Sequence, residues 1–182
     1  SEVFAHHGLR LFDVEELPTH GGSLRIFGCH AEDPRPQESR AIELLEREAA
    51  AGYDSLELYT AFGARVAEDK RQILEFLTQL KRKGLRIAGY GAPAKGNTLL
   101  NYCGVRTDFV DYTVDLNPHK QGHLLPGTHI PIRSPGFLNE DKPDVVLILP
   151  WNLKDEIMEQ LAGIRAWGGR FAARSPDLQL FP

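Results

Sequence analysis

Residues 85–98 read Leu-Arg-Ile-Ala-Gly-Tyr-Gly-Ala-Pro-Ala-Lys-Gly-Asn-Thr. The first seven residues form a short, mostly apolar run that predicts a buried strand, and a turn rich in glycine, alanine and proline follows it. We expect a helix from Lys95 to about Cys103 directly after this turn. A strand that passes through a tight, small-residue turn into a helix is typical of an α/β protein with a parallel sheet.

The same alternation of strand and helix continues towards the C-terminus. Apolar runs predict strands at 109–115, 144–149 and 170–173, and the helical pattern at about 153–167 falls between the last two. Short, nearly all-apolar strands that alternate with helices indicate a parallel sheet covered on both faces. We therefore predict a three-layer, Rossmann-like α/β core over residues 85–182.

Two different patterns precede this core. Apolar and polar residues alternate at 9–14 and 23–27, which predicts a strand pair, or β-hairpin, within residues 1–31. Residues 34–83 carry apolar positions at three- and four-residue spacings, which predict a long helical segment. Because the first residues already fit the middle of a helix, we expect the chain to belong to a longer polypeptide.

Composition narrows the class of protein. The 182 residues are 42% hydrophobic and 25% charged, as in soluble globular proteins, and the net charge of −4 does not favour a nucleic acid or an anionic membrane as partner. The two cysteines are far apart, and the histidines show no metal-ligand spacing. With no apolar run of membrane-spanning length, we expect a cytoplasmic protein with no metal.

The turn after the first core strand predicts an anion site. Glycines let the backbone approach a ligand, and the first N–H groups of a helix lack partners within the helix. Lys95 places a positive charge at the same end, against the helix dipole, which a bound phosphate would explain. The alternative is a tight turn with a solvated lysine. Glycines at 89, 91 and 96 match neither the dinucleotide fingerprint nor a P-loop.

Polar residues follow two further strands. Asp115, with Asn117 and Lys120 after it, stands where an acidic residue of a Rossmann unit meets a ribose, although it could equally cap a loop. Trp151 and Asn152 bring an aromatic ring and an amide to the same sheet edge. Asn152 could also serve only as a helix N-cap.

A fourth cluster lies between the two N-terminal strands. It reads His20-Gly21-Gly22-Ser23, in which two glycines allow backbone amides and an imidazole to converge on one ligand. Ligand contact and a purely structural turn are both compatible with this pattern. We predict no catalytic residue here.

Four segments, in this order, resemble one known family: 17–25, 89–101, 115–122 and 126–132. They are similar to the C-terminal domain of the SAM-dependent C-methyltransferases that modify TDP-linked keto-deoxysugars. The resemblance covers nearly the whole chain. It implies that residues 1–182 form a single C-terminal substrate-binding domain of a larger enzyme.

The resemblance also implies how the work is divided in that enzyme. An N-terminal zinc-binding region and a central SAM-binding domain precede a Rossmann-like domain that holds the nucleotide-sugar. The reaction is proton abstraction beside a ketone, followed by attack of the enolate carbon on the SAM methyl group. Because the family's Glu-His pair, zinc cysteines and SAM loop have no match here, we expect this chain to bind substrate, to carry no cofactor of its own and to need the upstream methyltransferase domain.

The matching positions carry expected roles. One group would cradle the diphosphate, a second would meet the nucleoside or add an anion contact, and a third would lie near the sugar. These groups are, respectively, Gly91, Ala92, Lys95, Gly96 and Asn97; Asp115, Asn117 and Lys120; and His20 and Ser23.

Two other functions remain alternatives. One is an NAD-dependent oxidoreductase or epimerase, but the glycine spacing does not fit and no tyrosine is followed four residues later by a lysine. The other is a non-catalytic module that binds a nucleotide or a CoA-type ligand.

Overall fold

The chain folds as two compact units, residues 1–64 and residues 65–182. A computed structural model describes residues 1–174 and 178–182. The two units are described separately below. None of the helices that the structure describes is long and apolar enough to cross a membrane.

The N-terminal unit is built on an antiparallel hairpin. Strand β1 (Leu9–Leu17) pairs with β2 (Ser23–His30), with an irregularity between Leu11 and Asp13. The short helix α1 (Glu2–His6) precedes the hairpin and α2 (Ser39–Ala50) follows it. The predicted strand pair is therefore confirmed, and both strands are longer than their alternating patterns.

Ion pairs, rather than an extensive hydrophobic core, hold helix α2 against β1. The Arg40 guanidinium pairs with the nearly buried Asp13 carboxylate at 2.5 Å, and Arg47 pairs with Glu16 at 2.8 Å. Asp13 also accepts a hydrogen bond from the backbone N–H of Val14. A buried carboxylate needs such partners because the charge would otherwise be costly to desolvate.

The apolar side chains of this unit are mostly uncovered. Within residues 1–64, all of them described, the buried hydrophobic residues are Val14 and Ala41, while nine large hydrophobic side chains are exposed. Those nine are Val3, Leu24, Ile26, Ile42, Leu45, Tyr53, Leu56, Tyr59 and Phe62. Groups of exposed apolar side chains are common at protein interfaces, so this unit offers candidate interface residues.

The C-terminal unit contains a six-stranded sheet. Its strands, in spatial order β5-β4-β3-β6-β7-β8, are parallel except for β8, which is antiparallel to β7. The strands are β3 (Ile87–Tyr90), β4 (Tyr112–Val114), β5 (Ile132–Arg133), β6 (Val145–Ile148), β7 (Arg170–Arg174) and β8 (Leu178–Phe181). The helices are α3 (Leu56–Arg82), which begins in the N-terminal unit, α4 (Ala94–Cys103), α5 (Phe137–Asp141) and α6 (Lys154–Gln160).

Alternate residues of the central strands enter two different cores. Val145 and Leu147 of β6 pack with α3 and α4 residues such as Leu77 and Leu100. Their neighbours Val146 and Ile148 join a second cluster that includes residues of α5 and α6. The sheet is therefore covered on both faces, and the predicted fold class, mixed α/β with a mostly parallel sheet, a hairpin and helices, is confirmed.

Two elements are shorter than predicted, and two strands were not predicted. Strand β4 has three residues, because Phe109 and Val110 donate backbone hydrogen bonds to Arg106 and so belong to a turn. The helix predicted at 153–167 ends at Gln160, and a 3-10 segment, Ala162–Trp167, continues to the left-handed Gly168. The two-residue β5 and the antiparallel β8 were not predicted.

Candidate functional site

The strand order creates a crevice at the middle of the sheet. From β3 the chain builds β4 and β5 on one side, and then crosses to place β6 on the other side of β3. Ligands of open α/β sheets bind at such a switch point, beyond the carboxyl ends of the strands. A crevice of about 210 Å³ opens there, and Tyr90, Gly91, Asp115, Lys120, Pro150 and Glu156 are among the residues that line it.

Two of the predicted glycines bring the backbone segments of this edge close together. Gly91 has a φ of +87°, and a Cβ atom there would lie 2.8 Å from Cδ of Pro150. Gly96 is buried in α4, where a Cβ atom would lie 2.8 Å from Cβ of Leu149. The turn after β3 and the start of α4 thus pack directly against the end of β6.

Asp115 ties the end of β4 to the turn after β3. Its Oδ2 accepts a hydrogen bond of 2.6 Å from the backbone N–H of Ala92, and its Oδ1 accepts one of 2.8 Å from that of Asn117. The ammonium of Lys120 donates to the Ala92 carbonyl at 3.0 Å and lies 3.3 Å from Asp115 Oδ2. The alternative in which Asp115 caps a loop is therefore realised, and a ribose contact stays a prediction.

Lys95, which follows β3, contacts two residues that follow β6. Its Nζ donates a hydrogen bond to Oδ1 of Asn152 and lies 4.6 Å from the centre of the Trp151 ring. No side chain caps α6, and Leu153 is the residue before it, so the idea that Asn152 serves only as its N-cap is wrong. Because Lys95 has two partners within the protein, its position does not by itself require a bound anion.

A second groove runs beside the start of α4. It has a volume of about 570 Å³, shares Lys120 with the crevice, and is also lined by Ala92, Asn97 and the loop residues His119 and His123. Pro93 precedes α4 without a side-chain cap, and Asn97 donates its N–H to the Pro93 carbonyl at 3.0 Å. The predicted residues Ala92, Asn97 and Lys120 therefore meet at one groove.

Tyr90 and Glu156 contribute to the crevice but were not predicted. Burial raises the pKa of the Tyr90 phenol, and the negative charges of Asp115 and Glu156 raise it further. The phenol thus stays protonated at neutral pH and can donate a hydrogen bond. Tyr90 could have been found as the last residue of β3, whereas Glu156, inside α6, has no comparable sequence signal.

The predicted cluster at residues 20–23 forms the hairpin turn of the N-terminal unit. His20, Gly21 and Gly22 all have positive φ values, of 57°, 86° and 125°. Ser23 donates its hydroxyl to the Thr19 carbonyl at 2.9 Å and so closes the turn. The structural reason for the two glycines is therefore clear, and a ligand contact by His20 or Ser23 stays a prediction.

Among the residues that the structure describes, no group of three or more His, Cys, Asp or Glu side chains is placed to hold a metal ion. The core strand order, the switch-point crevice and the small-residue turn define a Rossmann-like α/β domain. Comparison with known proteins identifies the family to which this domain belongs.

Residues 18–176 match the family described as the C-methyltransferase C-terminal domain, and the chain belongs to that family. The C-methyltransferase NovU of Streptomyces niveus is 35% identical to it over 175 residues. That alignment covers 96% of this chain but 42% of the relative, so the chain spans less than half of that protein's length. The resemblance seen in the four sequence segments is confirmed at the level of the family.

Proposed function

We propose that this chain is the substrate-holding part of a SAM-dependent C-methyltransferase and that its ligand is a TDP-linked keto-deoxysugar. The observation that carries the proposal is the crevice at the switch point, joined through Lys120 to a basic groove, in a chain of this family. A nucleotide-sugar has an anionic diphosphate between two hydroxyl-bearing parts. The two adjoining sites offer partners for both kinds of group.

The crevice suits the uncharged part of such a ligand. Tyr90 offers a phenol donor, Glu156 a carboxylate acceptor and Gln160 an amide, beside the apolar side chains of Leu116 and Leu153. Ligand pockets commonly combine an apolar lining with a few polar groups that fix orientation. Hydroxyl groups of a sugar or a ribose can use both the donors and the acceptors.

Catalysis would belong to the rest of the enzyme. Proton abstraction beside a ketone needs a base, and methylation needs SAM; in this proposal the upstream methyltransferase domain of the same polypeptide supplies both. The 42% coverage of the relative leaves room for such a domain. The exposed apolar side chains of residues 1–64 supply a surface on which it could pack. We place this enzyme in the cytoplasm.

A thermal-shift titration tests the ligand class. The chain is titrated in parallel with TDP, UDP, NAD and SAM. A ligand that binds only the folded state adds about 2.7 kcal/mol of stability at a hundred times its dissociation constant. We expect stabilisation by TDP or UDP and none by SAM. Stabilisation by SAM would contradict the proposed division of labour, and a response to NAD alone would favour an oxidoreductase.

Lys95→Ala tests the predicted diphosphate cradle. Loss of one charge-assisted contact should weaken TDP binding several-fold, as measured by calorimetry. Lys83→Ala removes the same charge from an exposed position after α3 and serves as the matched control. Equal affinity of wild type and Lys95→Ala for TDP would remove Lys95 from the cradle.

A further inference from the structure

The crevice and the groove differ in charge although they share Lys120. Two carboxylates, Asp115 and Glu156, line the crevice. The described residues that line the groove include no carboxylate, and beside Lys120 they include His119 and His123. An anionic ligand group is therefore repelled on one side of Lys120 and attracted on the other.

The lining of the groove is also partly apolar. Leu124 is 54% exposed, and Pro126 lines the groove as well. The buried side chains of Leu125 and Ile132 also line the groove. A volume of about 570 Å³ is typical of small-molecule sites. A groove with both basic and apolar lining residues matches a ligand that has a phosphate at one end and a flat base at the other.

Backbone hydrogen bonds hold the histidine-bearing loop in place. The N–H of Gly122 donates to the Ile132 carbonyl at 2.9 Å, and the N–H of Ile132 donates to the His123 carbonyl at 2.8 Å. The N–H of Lys120 donates to the Asn117 carbonyl at 3.0 Å. A loop anchored in this way presents its side chains with little ordering cost on binding.

We propose that this groove, rather than the crevice, receives the diphosphate of the nucleotide, with His119 and His123 as phosphate ligands. Each imidazole can donate an N–H in either protonation state, and the Lys120 ammonium has a third N–H to offer besides those used on Ala92 and Asp115. The base lies against Leu124 and Pro126, and the sugar reaches the crevice. This assignment rests on the proposed function and names the residues that serve it.

Calorimetry on the full chain tests the assignment with TDP, thymidine and inorganic pyrophosphate as probes. The double variant His119→Gln/His123→Gln should bind TDP and pyrophosphate on the order of tenfold more weakly. One control variant should keep the affinity: His30→Gln, which changes an exposed histidine of the N-terminal unit. The double variant should change thymidine binding little, because the apolar part of the groove is intact.

Two results would overturn the inference, and they differ from each other. If wild type binds TDP and the double variant binds it equally well, the diphosphate lies elsewhere while the proposed function stands. If wild type binds neither TDP nor pyrophosphate, both the inference and the proposed function fail. Thermal midpoints of all variants, measured without ligand, show whether each has kept the fold.

Discussion

The carboxylate of Asp115 accepts a hydrogen bond of 2.6 Å from the backbone N–H of Ala92, across 23 positions of sequence. This bond joins the ends of β3 and β4 at the edge where the crevice and the groove meet. The Asp115 side chain is largely buried, and Lys120 and the N–H of Asn117 complete its set of partners. The shape of both sites therefore depends on one carboxylate.

Asp115→Ala should lower the free energy of unfolding by about 1 to 3 kcal/mol, because the N–H of Ala92 and the ammonium of Lys120 lose a charged acceptor. Urea denaturation measures this loss. Asp111→Ala is the matched control, since Asp111 is half-exposed and its carboxylate lies 3.4 Å from the Lys81 ammonium. We expect the control to cost less than about 1 kcal/mol. Equal losses in the two variants would contradict the role given to Asp115.

Gly96→Ala and Gly63→Ala should change stability in opposite directions, although both place alanine inside a helix. At Gly63 of α3 a Cβ atom meets nothing within 4 Å, so the better helix propensity of alanine should stabilise the chain by up to about 1 kcal/mol. At Gly96 the Cβ atom would lie 2.8 Å from Cβ of Leu149. Overpacking of this kind typically costs about 1 to 3 kcal/mol.

Thermal or urea unfolding of the two variants checks this pair. The reading of Gly96 as a packing position would be wrong if Gly96→Ala were as stable as wild type. Packing against Leu149 would then not explain why a glycine stands at position 96. Close approach of a ligand would be the remaining explanation.

Gly96 also illustrates what the sequence could and could not predict. The small-residue turn predicted the strand, the helix and the meeting of strand ends, because these depend on local pattern. The contact of Gly96 with Leu149 and the hydrogen bond from Lys95 to Asn152 join residues more than fifty positions apart. Such contacts depend on the strand order, which no local pattern contains.

The placement of His119 and His123 could not be predicted from the sequence either. The sequence spacing of His119 and His123 indicates no metal site and predicts no other role for them. The structure places them along one groove with Ala92 and Asn97, which come from the turn after β3 and from α4. Strand β5, with two residues, was missed because so short a segment shows no periodicity.

Alkaline pH should destabilise the chain through Tyr112. Burial raises the pKa of its phenol, and the hydrogen bond of 3.0 Å to Asp141 raises it further. A raised pKa means that the folded state holds its proton while the unfolded state loses it. Stability is therefore complete below about pH 10, the ordinary pKa of tyrosine, and falls as the pH rises above it.

Tyr112→Phe separates this effect from the hydrogen bond. At pH 7 the variant should be less stable than wild type by about 1 kcal/mol, because the Asp141 carboxylate loses a donor. Above pH 10 its free energy of unfolding should fall less steeply than that of wild type. Urea denaturation between pH 7 and pH 11 measures both effects, and parallel alkaline slopes would show that Tyr112 does not supply this dependence.

The apolar face of the N-terminal unit should be measurable in the chain by itself. Leu24 and Ile26 are each 48% exposed and line one groove of this unit with residues of α2. We expect the groove to bind an environment-sensitive dye such as anilinonaphthalene sulfonate, and Leu24→Lys/Ile26→Lys to reduce the fluorescence at least several-fold. Because both side chains are half in solvent already, unfolding should change by only about 1 kcal/mol in total.

Leu116→Lys provides the control for this face, since Leu116 is 67% exposed but belongs to the C-terminal unit. It should leave most of the dye fluorescence intact. If the control lost as much fluorescence as the double variant, the dye would be reporting the crevice instead. If the double variant kept the wild-type signal, the hairpin face would not be the main apolar surface. A packed methyltransferase domain should suppress the same signal in a longer polypeptide, because it would cover the side chains that the dye contacts.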